Sequence, residues 1–120
     1  MREIARLEDI PRKGLRFTYK DGPFDEEGIL LRLPGGAVRA YKNECRHLPM
    51  ALDDRDRGQL WDPDQRFLVC GSHGAMYRPE DGLCTAGPCR GSHLRTLPII
   101  LDGDRVLLET AKIGGFFDPA

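Results

Sequence analysis

The chain has 120 residues, of which 40% are hydrophobic, and this is the size and composition of one globular domain. The 18 basic and 19 acidic side chains give a formal net charge of -1, so the excess positive charge that drives nonspecific binding to nucleic acid is missing. No apolar run reaches the roughly 20 residues that span a bilayer, and the N-terminus has no signal-like segment. We therefore expect a cytoplasmic protein that binds neither nucleic acid nor a membrane.

The first strands are predicted from alternation and from glycine turns. The 14 Gly and 9 Pro residues interrupt the chain throughout and favour short strands over long helices. Apolar and polar residues alternate over residues 15–19, which indicates a strand. Residues 28–33, the turn Pro34-Gly35-Gly36 and residues 37–41 have the order of a strand, a glycine turn and a second strand. This order predicts a β-hairpin.

A second hairpin is predicted around the turn Asp62-Pro63-Asp64-Gln65, in which Pro occupies a position that its fixed φ favours. Its strands are residues 59–61 and residues 66–70. The charged run of residues 53–57 lies before this hairpin and is more typical of a solvated loop than of a helix.

A third hairpin is predicted near the C-terminus, where residues 97–101 and 105–109 flank Asp102-Gly103-Asp104. The central Gly supplies the positive φ that a tight turn needs. The sequence has no internal repeats and no long helical segment. The prediction is an all-β fold built from antiparallel sheets.

Cysteine and histidine occur close together in two short segments, Cys45-Arg46-His47 and Cys70-Gly71-Ser72-His73. Residues two apart in an extended loop lie on the same side at about 6.6 Å, so Cys45 and His47 can bind one centre, and the tighter Cys-x-x-His turn can do the same. Four cysteines in a reducing compartment indicate metal or redox chemistry. One Cys and one His in each segment favours a two-iron cluster over tetrahedral zinc. Zinc on the same side chains, and no metal at all, are the alternatives.

The two segments resemble the ligand motif of the Rieske family, which is Cys-x-His followed at a distance by Cys-x-x-His and a Gly, here Gly74. The resemblance implies a 2Fe-2S cluster in which Cys45 and Cys70 bind the inner iron, while His47 and His73 bind the outer iron near the surface.

The resemblance covers roughly residues 28–109 and includes the strand and turn after the second motif, residues 75–77 and Asp81-Gly82. It implies a single Rieske domain over residues 1–120, with a cluster-binding subdomain of about residues 43–93 inserted in a β base. That subdomain would contain the two ligand loops and a proline loop.

Gly87-Pro88, with Gly91 after it, resembles the proline loop that lies over the cluster in Rieske proteins and limits its contact with water. The chain departs from the family in three ways. The interval between the motif halves is long, and we place the extra length in residues 50–57. Gly71 stands where a Pro is common. Neither ligand loop has the additional Cys that forms a disulfide in quinol-oxidising members, so a role in a quinol-oxidising complex is not favoured.

Two positions after the second motif bear on the reduction potential. Replacing two thiolates by neutral imidazoles removes negative charge around the irons and raises the potential into the span of about -150 to +300 mV. High-potential Rieske proteins carry a Ser two residues and a Tyr four residues after the last His, and both donate hydrogen bonds toward sulfur. Here these positions are Ala75 and Tyr77. Because one donor is absent, we expect a potential in the lower part of the span.

Two further cysteines, Cys84 and Cys89, flank the proline loop and have no neighbouring His in the sequence. The favoured interpretation is that they are packing thiols. The alternative is a disulfide that stiffens the loop, which requires their Cα atoms to lie within about 7 Å. His93 also lacks a ligand partner in the sequence and is predicted to be an exposed loop residue.

The resemblance implies an electron-transfer protein that is not itself an enzyme. No dinucleotide fingerprint or phosphate loop is present. The expected function is a ferredoxin-like component that passes single electrons from an NAD(P)H-dependent flavin reductase to a terminal oxygenase or a similar enzyme. The alternatives are a small subunit of an assimilatory nitrite reductase and, from a different class, a zinc-stabilised interaction module.

Overall fold

The computed structural model describes residues 1–46, 51–52, 60–62, 64, 66–70 and 74–113. Within these ranges the strands are, in chain order, β1 (Arg2–Arg6), β2 (Leu15–Asp21), β3 (Phe24–Arg32), β4 (Val38–Lys42), β5 (Leu68–Val69), β6 (Met76–Tyr77), β7 (Cys84–Ala86), β8 (Ile99–Asp102) and β9 (Arg105–Leu108). All of their pairings are antiparallel. This confirms the predicted all-β class.

Helical structure in the described part of the chain consists of two short 3-10 helices, Leu7–Asp9 and Thr110–Lys112. Both are only three residues long, as expected for a sequence so often interrupted by Gly and Pro. None of the helical segments in the described ranges has the length and apolar character needed to cross a bilayer.

The chain divides into two compact units. One contains Met1–Lys42 and the segment that begins at Thr96, and the other contains Asn43–Arg95. In the first unit, one sheet has the strand order β1-β9-β8 and the other has the order β2-β3-β4. The second unit contains the sheet β5-β6-β7. Both predicted ligand segments fall within the residue range of the second unit.

Two of the predicted hairpins are confirmed in the first unit. The Leu33 N–H donates to the Ala37 carbonyl at 2.7 Å and closes the loop between β3 and β4. Strands β8 and β9 are joined by a two-residue turn in which Gly103 has a φ of +61°. Strand β3 is longer than expected because it begins at Phe24, and its first residues pair with β2. That β2–β3 hairpin, with its turn at Gly22-Pro23, was not predicted, and neither was β1.

The core of the first unit is built from apolar side chains of both its sheets, and their burial is the main source of its stability. The buried members are Ile10, Phe17, Tyr19, Leu30, Val38, Ala40, Leu97, Val106 and Leu108.

Gly28 in β3 lies opposite Phe17 in β2 at a position where a side chain has no room. A Cβ on Gly28 would lie 2.8 Å from Phe17 Cε2 and 2.9 Å from a Leu97 methyl carbon. These distances are far below van der Waals contact. The absent side chain therefore allows the Phe17 ring to pack across the β3 backbone.

The second predicted hairpin is present among the described residues of the second unit. The Val69 N–H donates to the Leu60 carbonyl at 2.9 Å, and the Asp62 N–H donates to the Phe67 carbonyl at 3.0 Å. The Asp62 carboxylate also accepts the Phe67 N–H at 2.9 Å, which is the turn role expected of an Asp. Residues 53–57, predicted to be a surface loop, lie outside the described residues.

The predicted strand and turn after the second motif are also confirmed. The strand is β6, and the turn that follows it is closed by a hydrogen bond of 2.9 Å from the Arg78 N–H to the Leu83 carbonyl. Gly82 takes a φ of +76° in this turn, a conformation that glycine adopts at little cost. The turn leads into β7, which begins at Cys84.

Candidate metal centre

The first ligand segment begins at Cys45, a thiol that is 3% exposed. Two residues earlier, the Asn43 side-chain oxygen accepts the Leu52 N–H at 3.0 Å. Asn43 and Leu52 are both buried, so this bond lies away from water, where an unpaired amide group is costly. The bond therefore links the residue two positions before Cys45 to a residue that follows the Cys45-Arg46-His47 motif.

The second ligand segment begins at Cys70, which follows β5 directly and is 0% exposed. The Cys70 N–H donates to the Ala75 carbonyl at 2.8 Å, and the Gly74 N–H donates to the Cys70 carbonyl at 2.9 Å. Gly74 has a φ of +69°, which explains the preference for Gly after the second His position. These two bonds fix the backbone of Cys70 and Gly74, the residues on either side of positions 71–73.

The two predicted histidine ligands, His47 and His73, lie outside the described residues. Their assignment as ligands stays a prediction. The third histidine, His93, is described and is exposed, which confirms that prediction.

The Tyr77 hydroxyl connects the first ligand segment to the proline loop. It lies 3.5 Å from Cys45 Sγ and 3.0 Å from Cys89 Sγ, and it accepts the Arg46 N–H at 3.1 Å. Burial, followed by the hydrogen bonds with the two sulfurs, raises the pKa of Tyr77 far above its ordinary value. The phenol therefore keeps its proton and can donate it toward sulfur.

The proline loop approaches the second ligand segment closely at Gly87, which has a φ of +97°. A Cβ on Gly87 would lie only 2.8 Å from Ala75 Cα and 3.1 Å from Ala75 Cβ. Ala75 is itself fully buried and lies two positions after His73 in the sequence. Close contact between the proline loop and the chain after the second motif thus depends on two small residues.

The Cys84 and Cys89 side chains are free thiols whose sulfurs lie 3.2 Å apart. Cys84 is buried and Cys89 is half-buried. The Cys84 thiol donates to the Ala86 carbonyl at 3.1 Å. Burial and the neighbouring Cys89 raise the pKa of the Cys84 thiol to about 11.

Sequence patterns did not point to Asn43 or to the contact between Cys89 and Tyr77. A signal for Asn43 exists, because an amide just before a ligand loop is well suited to accept a backbone N–H from the loop's return. No sequence signal exists for the Cys89–Tyr77 contact, since it depends on how the proline loop packs.

A model of the Rieske [2Fe-2S] domain family matches residues 3–100 of the chain. The chain belongs to this family. The cofactor of this Rieske protein is accordingly a Rieske-type 2Fe-2S cluster. The predicted family and the predicted 2Fe-2S cofactor are confirmed. No curated protein matches the chain.

Solved structures share the fold of this Rieske protein at low sequence identity. The ferredoxin of Sphingomonas yanoikuyae B1 gives a TM-score of 0.63 at 18% identity, covering 88% of this chain and 94% of that one. A chain from the complex of reduced oxygenase and oxidized ferredoxin in carbazole 1,9a-dioxygenase gives 0.64 at 15% identity, covering 88% and 98%. A longer chain from a carbazole-bound oxygenase and ferredoxin complex gives 0.68 at 21% identity, covering 95% of this chain and 28% of that one.

The described part of the candidate centre suits a 2Fe-2S cluster. Cys45 and Cys70 are two buried thiols, the kind of side chain that binds iron-sulfur clusters. A protonated phenol lies close to one of these sulfurs. Hydrogen bonds to sulfur are among the features by which a protein adjusts the potential of such a cluster.

Proposed function

We propose that this Rieske protein binds its cluster with Cys45 and Cys70 on the inner iron and with His47 and His73 on the outer iron. The observation that supports this most directly is that each predicted ligand segment begins with a buried thiol. When bound, the cluster accepts and releases one electron at a time. The histidine end, toward the surface, would be the end that meets redox partners.

The contacts around Cys45 favour the more negative charge that its sulfur would carry in the reduced cluster. The Arg46 N–H occupies one lone pair of the Tyr77 oxygen, so the phenol proton is free to point toward a sulfur. A hydrogen bond to a ligand sulfur stabilises the more negative, reduced state more than the oxidised state. Because these groups are held by buried contacts, little rearrangement is needed when the charge changes.

We further propose that the protein is a ferredoxin-like carrier between an NAD(P)H-dependent flavin reductase and a terminal oxygenase or a similar enzyme. In support, the chain is similar in length to a ferredoxin, of which it covers 94%. Other similar structures are complexes of an oxygenase with a ferredoxin. The proposal includes a cytoplasmic location, where a nicotinamide-dependent reductase finds its substrate.

The ligand assignment is tested by replacing each predicted histidine in turn. His47→Ala and His73→Ala are each expected to abolish the paramagnetic spectrum of the reduced protein or to change it strongly, and to lower the iron content. His93→Ala is the matched control, because it removes an exposed histidine that is not a predicted ligand. A wild-type spectrum and iron content in either ligand variant would overturn the assignment.

The partner assignment is tested by stopped-flow mixing of the purified protein with a flavin reductase and NADH, followed by a terminal oxygenase. The expected result is loss of the visible absorption when the reductase supplies electrons and its return when the oxygenase is added. Isolation of the chain in a stable complex with a much larger nitrite-reducing enzyme would instead favour the small-subunit alternative.

A further inference from the structure

The thiol pair Cys84 and Cys89 lies outside the proposed ligand set and has the geometry of a dithiol that can close. The two sulfurs are 3.2 Å apart, and a disulfide bond is about 2.05 Å long. Closure therefore requires the sulfurs to approach by about 1.2 Å, which side-chain rotation can supply.

The backbone holds this pair in place. The Cys84 N–H donates to the Ser92 carbonyl at 2.8 Å, and the Gly91 N–H donates to the Cys84 carbonyl at 2.9 Å. The Ser92 N–H in turn donates to the Cys89 carbonyl at 3.0 Å. These bonds tie both ends of the proline loop together, so the short distance between the two thiols follows from the fold of the loop.

The same pair contacts the hydrogen-bond network of the proposed ligand Cys45. The Tyr77 oxygen has two lone pairs and one proton. Arg46 N–H takes one lone pair, and the Cys89 thiol at 3.0 Å can donate to the other. The phenol proton is then directed to Cys45 Sγ at 3.5 Å. In such a chain each hydrogen bond strengthens the next.

We propose that Cys84 and Cys89 form a redox-active dithiol site, which small-molecule disulfides such as glutathione disulfide oxidise to an intramolecular disulfide, and that this oxidation weakens the hydrogen bond from Tyr77 to Cys45. The second part rests on the proposed ligand role of Cys45, whereas the first part does not.

The reaction is a two-step thiol-disulfide exchange. The half-buried Cys89 thiol loses its proton, and its thiolate attacks one sulfur of the small disulfide, which forms a mixed disulfide and releases one small thiol. Cys84 then loses its proton and attacks the Cys89 sulfur, which forms the Cys84–Cys89 bond and releases the second small thiol. Two electrons pass from the two cysteines to the small disulfide, and two protons end on the released thiols. The half-buried Cys89 is the more accessible of the two to the small disulfide, so the buried Cys84 is assigned the second step.

Oxidation removes the Cys89 S–H donor from the Tyr77 oxygen. The bond from Tyr77 to Cys45 then loses the support of its neighbour, and the reduced cluster loses part of its stabilisation. Cooperative strengthening is about 10–30% per bond. We therefore expect reduction of the cluster to become about 1.3- to twofold less favourable when the dithiol is oxidised, with the potential moving to more negative values.

The first experiment follows the thiols directly in the holoprotein, where the cluster protects its own ligands. The protein is equilibrated in glutathione buffers of increasing oxidation, free thiols are alkylated, and the intact mass and peptide map are measured. The expected product has two hydrogens fewer and a single Cys84–Cys89 linkage, and dithiothreitol reverses it. Cys84→Ser is expected to stop at a mixed disulfide on Cys89. Absence of the linkage at the most oxidising ratio, or a linkage that involves Cys45 or Cys70, would overturn the proposal.

The second experiment measures the midpoint potential of the dithiol and disulfide forms by voltammetry. The wild-type protein is expected to show the negative shift, whereas Tyr77→Phe is expected to form the same disulfide without any shift. Equal potentials for both wild-type forms would overturn the coupling to Cys45. If the ligand assignment of Cys45 were wrong, Cys45→Ser would keep the wild-type spectrum and iron content while the mass result stayed the same, so the two failures are distinguishable.

Discussion

The Asn43 side-chain oxygen accepts the Leu52 backbone N–H at 3.0 Å, and this bond spans the segment that carries Cys45. Both residues are buried, so neither group can exchange the bond for one with water. The Asn43 side-chain amide thus links the chain before the first ligand motif to the chain after it. The side chain that supports this segment lies outside the Cys-x-His motif itself.

Asn43→Ala is expected to lower the free energy of unfolding by about 1–3 kcal/mol, because the buried Leu52 N–H loses its partner. Urea denaturation of the holoprotein measures the change, and the iron content reports whether the segment still holds the cluster. Arg12→Ala, which removes an exposed side chain, is the control and should change stability by less than about 0.5 kcal/mol. An unchanged unfolding midpoint for Asn43→Ala would show that the bond does not support the loop.

Tyr77→Phe is expected to lower the midpoint potential by about 60 mV. The ring stays in its buried site, but the donor toward Cys45 Sγ is lost, and a hydrogen bond worth about 1.4 kcal/mol more to the reduced state corresponds to about 59 mV for one electron. Voltammetry of both proteins measures the difference. Tyr19→Phe changes a buried tyrosine in the core of the other unit and should leave the potential within a few millivolts. An equal shift in the two variants would refute the specific role of Tyr77.

The Asp81 carboxylate is expected to titrate below the usual range. The Leu83 N–H donates to it at 3.0 Å and the Arg78 guanidinium pairs with it, and these groups lower the pKa of Asp81, the Leu83 bond contributing most. Because the folded-state pKa is lower than the unfolded one, this carboxylate contributes stability above its unfolded pKa, and that contribution is lost as the pH falls through the folded pKa. The contribution is small, since the group is exposed.

NMR titration of Asp81 in the wild-type protein and in Arg78→Gln tests whether the Leu83 N–H lowers the pKa of Asp81 more than Arg78 does. The variant should raise the pKa of Asp81 only in part, because the Leu83 N–H remains. A complete return to the usual value would mean that the arginine, and not the backbone, is the main cause.

The hairpins were predictable because their signals are local. A turn such as Asp102-Gly103-Asp104 needs a positive φ at a single position, and the sequence marks that position with Gly. The same signal is present at Gly22-Pro23, which joins β2 to β3 and where Gly22 has a φ of +60°. Strand β1 has no such signal, because its pattern does not alternate and its partner β9 lies about a hundred residues further along the chain.

The candidate centre was predictable only as far as its ligand motif. Buried thiols at Cys45 and Cys70 agree with the resemblance, which implies that both cysteines bind the inner iron. The contacts of Tyr77 with Cys45 and Cys89 join residues that are 32 and 12 positions apart. They arise from the packing of β6 against two loops, which no spacing rule describes. What could not be predicted is therefore the tertiary packing of the groups around the proposed ligands.

Gly87→Ala is expected to destabilise the protein by more than Gly36→Ala does. Both glycines have nearly the same positive φ, +97° and +96°, and such a φ costs an L-residue about 1–2 kcal/mol. A Cβ on Gly36 meets nothing within 4 Å, whereas a Cβ on Gly87 lies 2.8 Å from Ala75 Cα. The difference between the two variants, which we expect to be about 1–3 kcal/mol by overpacking, isolates the contact between the proline loop and the chain after the second motif. Chemical denaturation measures both stabilities, and the rate of cluster loss in air should rise in Gly87→Ala alone. Equal losses of stability in the two variants would mean that the proline loop moves away from Ala75 without cost.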